Sequence, residues 1–176
     1  TLLLNEDLDQ EDKKDFPVII EKNSNQLTEL FEDILQVSDL SSSLELFPME
    51  RIDILPICAG LLDMCKGKTK KSGITWLFES GLDECLVKTN DKYLQHVVEH
   101  ILNNAAKFTT AGTIRMNLMR TGGKIRIMVS DTGIGIPADK AEYIFDRFTK
   151  LDDFMPGTGL GLYSCRLIVT LSLIHI

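Results

Sequence analysis

The sequence contains no long apolar run and no C-x-x-C pair. None of its apolar runs approaches the roughly 18 residues that a membrane-spanning helix requires. Its four cysteines are widely separated, which argues against a zinc ribbon or a thioredoxin-like site and favours reduced thiols in a cytosolic setting. The chain begins at Thr1 with neither Met nor the basic flank of a secretory signal, and we expect it to be an interior part of a longer protein.

The composition is that of a globular protein. The 176 residues are 44% hydrophobic and 26% charged, which excludes a disordered or fibrous chain and suffices for one domain with an appendage. The net charge of −7 is unevenly distributed. Residues 1–50 carry 13 acidic residues against three lysines, whereas the remainder carries 13 acidic against 16 basic residues. The first segment is thus a poor partner for nucleic acid, and the second admits a phosphate-bearing small molecule.

The first segment has an apolar repeat in alternating steps of four and three residues. The repeat consists of Phe16, Ile20, Asn23, Leu27, Leu30, Ile34 and Val37. This spacing predicts a long coiled-coil-like helix in which Asn23 would fix the register, and an ordinary amphipathic helix is the alternative. Because Ser41–Ser43 interrupt the pattern and Pro48 follows, we expect one domain at 1–43 and another at 44–176.

The second segment mixes helical and strand patterns. The predicted elements are helices at 51–66, 91–107, 139–145 and 160–171, and strands at 74–79, 114–119 and 124–130. Gly122 and Gly123 separate the last two strands as a hairpin turn. This order predicts an α+β fold, a two-layer α/β sandwich with a mixed, largely antiparallel sheet.

Four short motifs follow one another in the second segment. They are Asn104–Thr109 (NAAKFT), Asp131–Pro137 (DTGIGIP), Ile144–Phe148 (IFDRF) and Gly157–Leu162 (GTGLGL). At these residues the sequence closely resembles the ATP-binding catalytic domain of sensor histidine kinases, which are related to gyrase, heat-shock chaperone and mismatch-repair ATPases. The motifs correspond to the N, G1, F and G2 boxes of that family. The resemblance implies a Bergerat-type ATP-binding fold and two cofactors, ATP and Mg²⁺.

The resemblance also implies a role for each motif. Asp131 would accept a hydrogen bond from the adenine amino group, and Asn104 would offer its amide oxygen to Mg²⁺. Lys107 would face phosphate oxygens, and the glycine-rich turn before a helix would present backbone N–H groups to them. Thr149–Pro156 would be a mobile lid hinged at Gly157. The implied nucleotide-binding residues are Asn104, Lys107, Phe108, Asp131, Gly133, Gly135, Ile136, Phe148, Gly157, Thr158, Gly159, Leu160, Gly161 and Leu162. Arg147 and Lys150 are further candidates for phosphate or lid contacts.

The chain departs from the family pattern in its histidines. His100 stands where sensor kinases usually have Asn and hydrolysing relatives have Glu. The lack of that Glu, a general base for water, argues against an ATP-hydrolysing cycle. We assign Asn104, His100 and Lys107 as the catalytic group. No histidine has the sequence context of the family's phosphate acceptor. His96, Glu99 and His100 match the inverted zinc-peptidase motif H-x-x-E-H, and a zinc peptidase is therefore an alternative.

We therefore expect the catalytic part of a sensor histidine kinase that transfers the γ-phosphoryl group of Mg-ATP to a histidine of a dimerisation bundle. Its expected partners are a second copy through that bundle and a response-regulator receiver domain, with no nucleic acid. Its expected location is the cytoplasmic side of an inner-membrane-anchored receptor. The segment 1–43 would supply the second bundle helix without the acceptor. We expect the domain to be truncated at its C-terminus, with residues 171–176 foreign to it, and an authentic apolar helix end is the alternative. A nucleotide-binding module without catalysis is a further alternative.

Overall fold

The computed structural model describes residues 48–151 and 157–172 continuously, together with twelve separate positions between Phe16 and Ser38. All twelve positions are helical, and Ile20, Leu27 and Ile34 of the predicted repeat are exposed to solvent. Leu30 and Val37, the predicted domain boundary and residues 173–176 lie outside the described residues. The coiled-coil-like helix and the foreign tail therefore remain predictions.

From residue 48 to residue 172 the described part contains five strands, three α-helices and one short 3-10 helix. In chain order they are β1 (Glu50–Asp53), α1 (Ile54–Lys68), β2 (Ile74–Ser80), β3 (Leu86–Thr89), α2 (Asp91–Phe108), β4 (Gly112–Thr121), β5 (Lys124–Asp131), the 3-10 helix (Tyr143–Phe145) and α3 (Gly161–Ser172). None of these helices is long and apolar enough to cross a bilayer.

The strands form two small sheets. β4 is the central strand of a three-stranded sheet, in which it pairs with β2 in parallel and with β5 in antiparallel orientation. β1 and β3 form a separate antiparallel pair. Gly122 and Gly123 both have positive φ angles, 57° and 78°, as a two-residue hairpin turn requires. The mixed, largely antiparallel sheet is thus as predicted.

The main core lies between the three-stranded sheet and two helices. Ile114, Met116 and Leu118 alternate on the buried face of β4. They pack in one cluster with side chains of α1 and α2, among them Cys58, Leu61, Leu62, Leu94, Val98 and Leu102. A smaller cluster attaches α3 to α2 through Cys165, Ile168 and Val97. The two clusters place α2 between the sheet layer and α3.

The sequence missed two strands and gave wrong bounds for two helices. The strands β1 and β3 were not predicted, because four residues carry too little periodicity to be recognised. Residues 51–53 belong to β1 and not to the following helix, which begins only after Asp53 caps it by accepting from the Leu55 N–H at 3.1 Å. The helix expected at 139–145 is reduced to the three-residue 3-10 helix. The segment before it forms a turn, in which the Lys140 N–H donates to the Pro137 carbonyl at 2.9 Å.

Candidate functional site

Helix α2 carries three of the predicted site residues on one face. The Asn90 side chain caps the helix by accepting from the Tyr93 N–H at 3.1 Å, which fixes where the helix begins. His100, Asn104 and Lys107 then follow at intervals of four and three residues, so their side chains share one side of the helix. His100 and Asn104 are half-buried and Lys107 is exposed.

The loop after β5 is held against the end of α2. The Asp131 carboxylate closes this loop by accepting from the Gly133 N–H at 2.9 Å. The Phe108 carbonyl accepts from the Ile134 N–H at 3.4 Å. A Cβ on Gly133 would lie 2.6 Å from the Phe108 carbonyl oxygen, so only glycine permits this approach. The structure thus brings Asp131, Gly133 and Phe108 together.

The glycine-rich loop 157–161 lies along the exposed face of α2. A Cβ on Gly157 would stand 2.8 Å from the Lys107 Nζ, and a Cβ on Gly161 would overlap the His100 ring. A Cβ on Gly159 would lie 2.6 Å from the backbone of Phe148, and Gly159 has a positive φ of 75°. The loop therefore packs directly on the two side chains of α2 that the sequence assigns to the phosphates.

The first turn of α3 begins at this loop. Thr158 Oγ1 accepts from the Leu160 N–H at 3.2 Å, and both Leu160 and Gly161 are buried. Ser164 Oγ donates to the Gly161 carbonyl at 2.8 Å and lies 3.1 Å from His96 Nε2. The Ser164 hydroxyl thus links the first turn of α3 to the His96 ring on α2. Sequence reasoning missed Ser164 because no motif marks a lone serine in a helix.

The histidine pair of the zinc-peptidase alternative lacks a third ligand in the described part of the chain. The His96 and His100 rings lie 6.0 Å apart between centroids and are tilted by 33°. Glu99 forms an ion pair with Lys68 at 3.0 Å. No group of three or more His, Cys, Asp or Glu side chains suited to a metal occurs among the described residues. A catalytic zinc needs three protein ligands, and these residues do not supply them.

The remaining predicted residues belong to the loops on either side of the 3-10 helix and to α3. The Arg147 guanidinium donates to the Tyr163 hydroxyl at 2.6 Å and stacks 4.7 Å from the centre of its ring. Phe148 is exposed and has a positive φ of 61°. Lys150 is exposed, as are Gly135 and Ile136 in the loop after Asp131, whereas Leu162 is half-buried in α3. Of the predicted lid, residues 152–156 lie outside the described residues.

The cysteines are structural in this arrangement. All four are buried, and burial raises the pKa of both Cys58 and Cys165 to about 12. Thiols with such pKa values stay protonated at neutral pH and are poor nucleophiles. Cys58 and Cys165 therefore supply no nucleophile to the site.

The donor set of α2 fits a nucleotide-bound magnesium ion better than a protein-caged one. Mg²⁺ takes oxygen ligands and usually retains waters and substrate phosphates, with only one or two ligands from the protein. Asn104 supplies one half-buried amide group between His100 and Lys107 on the same helix face. The residues present therefore fit an ion that arrives with a triphosphate.

Comparisons with known proteins agree with the predicted resemblance. Residues 89–174 match the family described as histidine kinase-, DNA gyrase B- and HSP90-like ATPase. The chain is 34% identical over 145 residues to the adaptive-response sensory kinase SasA of Synechocystis, an alignment that covers 80% of this chain and 38% of that protein. The chain thus spans well under half of this curated relative.

Solved structures show the same fold. Full-length ShkA in complex with AMPPNP superposes with a TM-score of 0.74 over 97% of this chain and 36% of that one, at 24% identity. The mycobacterial sensor histidine kinase MprB matches with a TM-score of 0.60 at 26% identity, over 69% of this chain and 78% of that one. The predicted fold class is therefore confirmed.

Proposed function

Because residues 89–174 belong to the histidine kinase-, DNA gyrase B- and HSP90-like ATPase family, we propose that they bind ATP and serve as the catalytic region of a sensor histidine kinase. The observation that carries this proposal is the packing of the loop 157–161 on His100 and Lys107, beside the Asp131 loop. A relative of the same fold has been solved in complex with AMPPNP, an ATP analogue. The arrangement therefore supports a nucleotide lying between α2, the Asp131 loop and the first turn of α3.

The residues of the site would act by binding and orientation. The exposed Asp131 carboxylate accepts from the adenine amino group, while the close Phe108–Gly133 contact keeps the loop in place. Lys107 and the N–H groups at the start of α3 contact the phosphate oxygens. Asn104 contributes its amide oxygen to Mg²⁺. The ion would supply charge neutralisation of the triphosphate when bound.

The reaction supported best is transfer of the γ-phosphoryl group to a histidine imidazole and not to water. Water attack would require a general base near the γ-phosphate. Glu99, the carboxylate nearest in sequence, points to Lys68 and lies about 100° around the helix from His100. His100 lies against Gly161 in the position that a polar neighbour of the phosphates would occupy. We therefore assign His100 to phosphate orientation.

We extend the proposal to the whole protein of which this chain would be a part. The helical positions between Phe16 and Ser38 would belong to a dimerisation bundle, formed with a second copy, whose acceptor histidine lies in another segment. A response-regulator receiver domain would take the phosphoryl group from that histidine. The relative SasA is named a sensory kinase, which supports this assignment. The catalytic region would lie on the cytoplasmic side of the membrane.

Nucleotide binding is tested by calorimetry with Mg-ATP. We expect the chain to bind. We expect Asp131→Asn to abolish binding, because its one remaining acceptor oxygen is engaged by the Gly133 N–H and its N–H₂ group cannot accept from adenine. Asp83→Asn is the matched control, since it removes the same charge from an exposed position between β2 and β3. A folded sample that binds no Mg-ATP would contradict the proposal.

The transfer step is tested separately from binding. The chain with γ-labelled ATP is mixed with a helical bundle that carries the acceptor histidine of a related sensor kinase. Acid-labile phosphate should appear on the bundle and none on this chain. ATP binding without any transfer to the bundle would instead favour a non-catalytic nucleotide-binding module.

A further inference from the structure

Lys71 lies in the loop between α1 and β2, outside every motif of the sequence. Its ammonium group donates to three backbone carbonyls at the end of α2. The acceptors are Ala106 at 2.8 Å, Lys107 at 2.9 Å and Thr109 at 2.9 Å. An ammonium group has three N–H bonds, so these contacts use its full donor capacity.

These contacts complete the end of the helix that carries the site. The last carbonyls of a helix have no partner within the helix and attract cations. The Ala105 carbonyl accepts from the Thr109 N–H at 3.0 Å, and the Phe108 carbonyl accepts from the Ile134 N–H. The Lys71 ammonium group donates to the three other carbonyls of this stretch, which are those of Ala106, Lys107 and Thr109. A second tie, from the Gly112 N–H to the Gly73 carbonyl at 2.9 Å, holds the same loop in place.

The last turn of α2 contains one basic residue of its own, which is Lys107. A lysine in that position can fold back onto the terminal carbonyls of its own helix. Here the Lys107 Nζ lies beside Gly157 and 5.0 Å from the centre of the Phe108 ring, while Lys71 occupies the carbonyls. Lys71 thus contacts the terminal carbonyls, and the Lys107 ammonium group lies beside the glycine-rich loop.

We propose that Lys71 is a positioning residue of the nucleotide site, which caps α2 and thereby directs the Lys107 ammonium group to the phosphates of the nucleotide. This inference rests on the proposed ATP-binding function. Lys71 acts through Lys107 and contacts no part of the nucleotide. Its effect is therefore specific to the phosphate groups and leaves recognition of adenosine to the Asp131 loop.

The test compares ATP with adenosine in competition against a fluorescent ATP analogue. Lys71→Met retains the length of the side chain and removes its charge. A cation at a helix C-terminus contributes modestly, so we expect the affinity for ATP to fall by roughly three- to tenfold. The affinity for adenosine should change by less than about twofold. Lys71→Arg should recover part of the loss, since a guanidinium also donates to carbonyls.

Two further variants separate the possible outcomes. Lys70→Met makes the same change in net charge at the neighbouring exposed position and should bind ATP as the parent does. In a Lys107→Met background, Lys71→Met should cause little additional loss. Equal losses for ATP and adenosine would show a purely structural role, and unchanged ATP affinity in a folded Lys71→Met protein would equally overturn the inference. If the parent chain binds neither ligand, the proposed function itself fails.

Discussion

At the scale of single residues, the site depends on contacts that are too close for any residue larger than glycine. Gly133 meets the Phe108 carbonyl oxygen and Gly161 meets the His100 ring, each closer than a Cβ allows. Gly161 differs in that its neighbour is a side chain and can be removed by mutation. It also lies at the start of a helix without a positive φ, so its backbone conformation does not itself require glycine.

We expect the effect of Gly161→Ala to change sign with residue 100. In the parent chain the added methyl group collides with the His100 ring, and overpacking should reduce the free energy of unfolding by about 1–3 kcal/mol. In a His100→Ala background the same change should be neutral or stabilising. Urea unfolding of the four proteins in this double-mutant cycle measures the difference. Equal losses in both backgrounds would show that the collision does not determine the need for glycine.

At the scale of elements, the ends of the helices hold the layers together. Asp53 caps α1 by accepting from the Leu55 N–H, and the same Oδ1 accepts from the Cys85 N–H at 2.9 Å. The Ile54 N–H also donates to the Cys85 carbonyl at 3.0 Å. One carboxylate thus joins β1, α1 and the residue before β3.

We expect Asp53→Ala to reduce the free energy of unfolding by roughly 1–3 kcal/mol. The change removes a helix cap and leaves the N–H of the fully buried Cys85 without its acceptor. Asp53→Asn retains one acceptor oxygen and should recover much of the loss. Thermal unfolding of both variants checks this, with Asp63→Ala on the exposed side of α1 as the control. A loss at Asp53 no larger than at Asp63 would contradict the assigned role.

The sequence predicted the longer elements and missed what depends on tertiary contacts. The strands β4 and β5 were predicted because alternation and the Gly122–Gly123 turn agree locally. β1 and β3 owe their pairing to each other across more than thirty intervening residues, which no local pattern reveals. The site motifs were recognisable as a set, whereas Lys71 and Ser164 were not. Their contacts arise only when the Lys71 loop and helix α3, both distant in sequence, meet α2.

At the scale of the whole molecule, the core is apolar around its thiols. Desolvation raises the pKa values of all four cysteines. The neighbouring Cys85 raises the pKa of Cys58 further, and Glu99 raises that of Cys65. In the unfolded chain the thiols ionise near pH 8.5. Above pH 8.5 the folded state therefore retains thiol protons that the unfolded state releases. The thiols leave the free energy of unfolding unchanged below pH 8.5 and lower it as the pH rises toward 12.

We expect the free energy of unfolding to fall between pH 8 and pH 10. Above the unfolded pKa, each of Cys58 and Cys165 should contribute a loss that approaches about 1.4 kcal/mol per pH unit. Urea titrations at several pH values measure the slope. The Cys58→Ala/Cys165→Ala variant should have a shallower slope, because the other groups that titrate in this range are common to both proteins. Identical slopes would exclude these thiols as the cause.

The central position of β4 also has a consequence for the order of folding. Its pairing with β5 requires only a two-residue turn, and a hairpin of this kind closes within microseconds. Its pairing with β2 joins Ile74 to Gly112 and must enclose β3 and the whole of α2. Because closing so long a loop is slower, we expect the hairpin that carries Asp131 to form before β2 pairs with β4. The strand that ends at Asp131 would then be in place before the parallel half of the sheet exists.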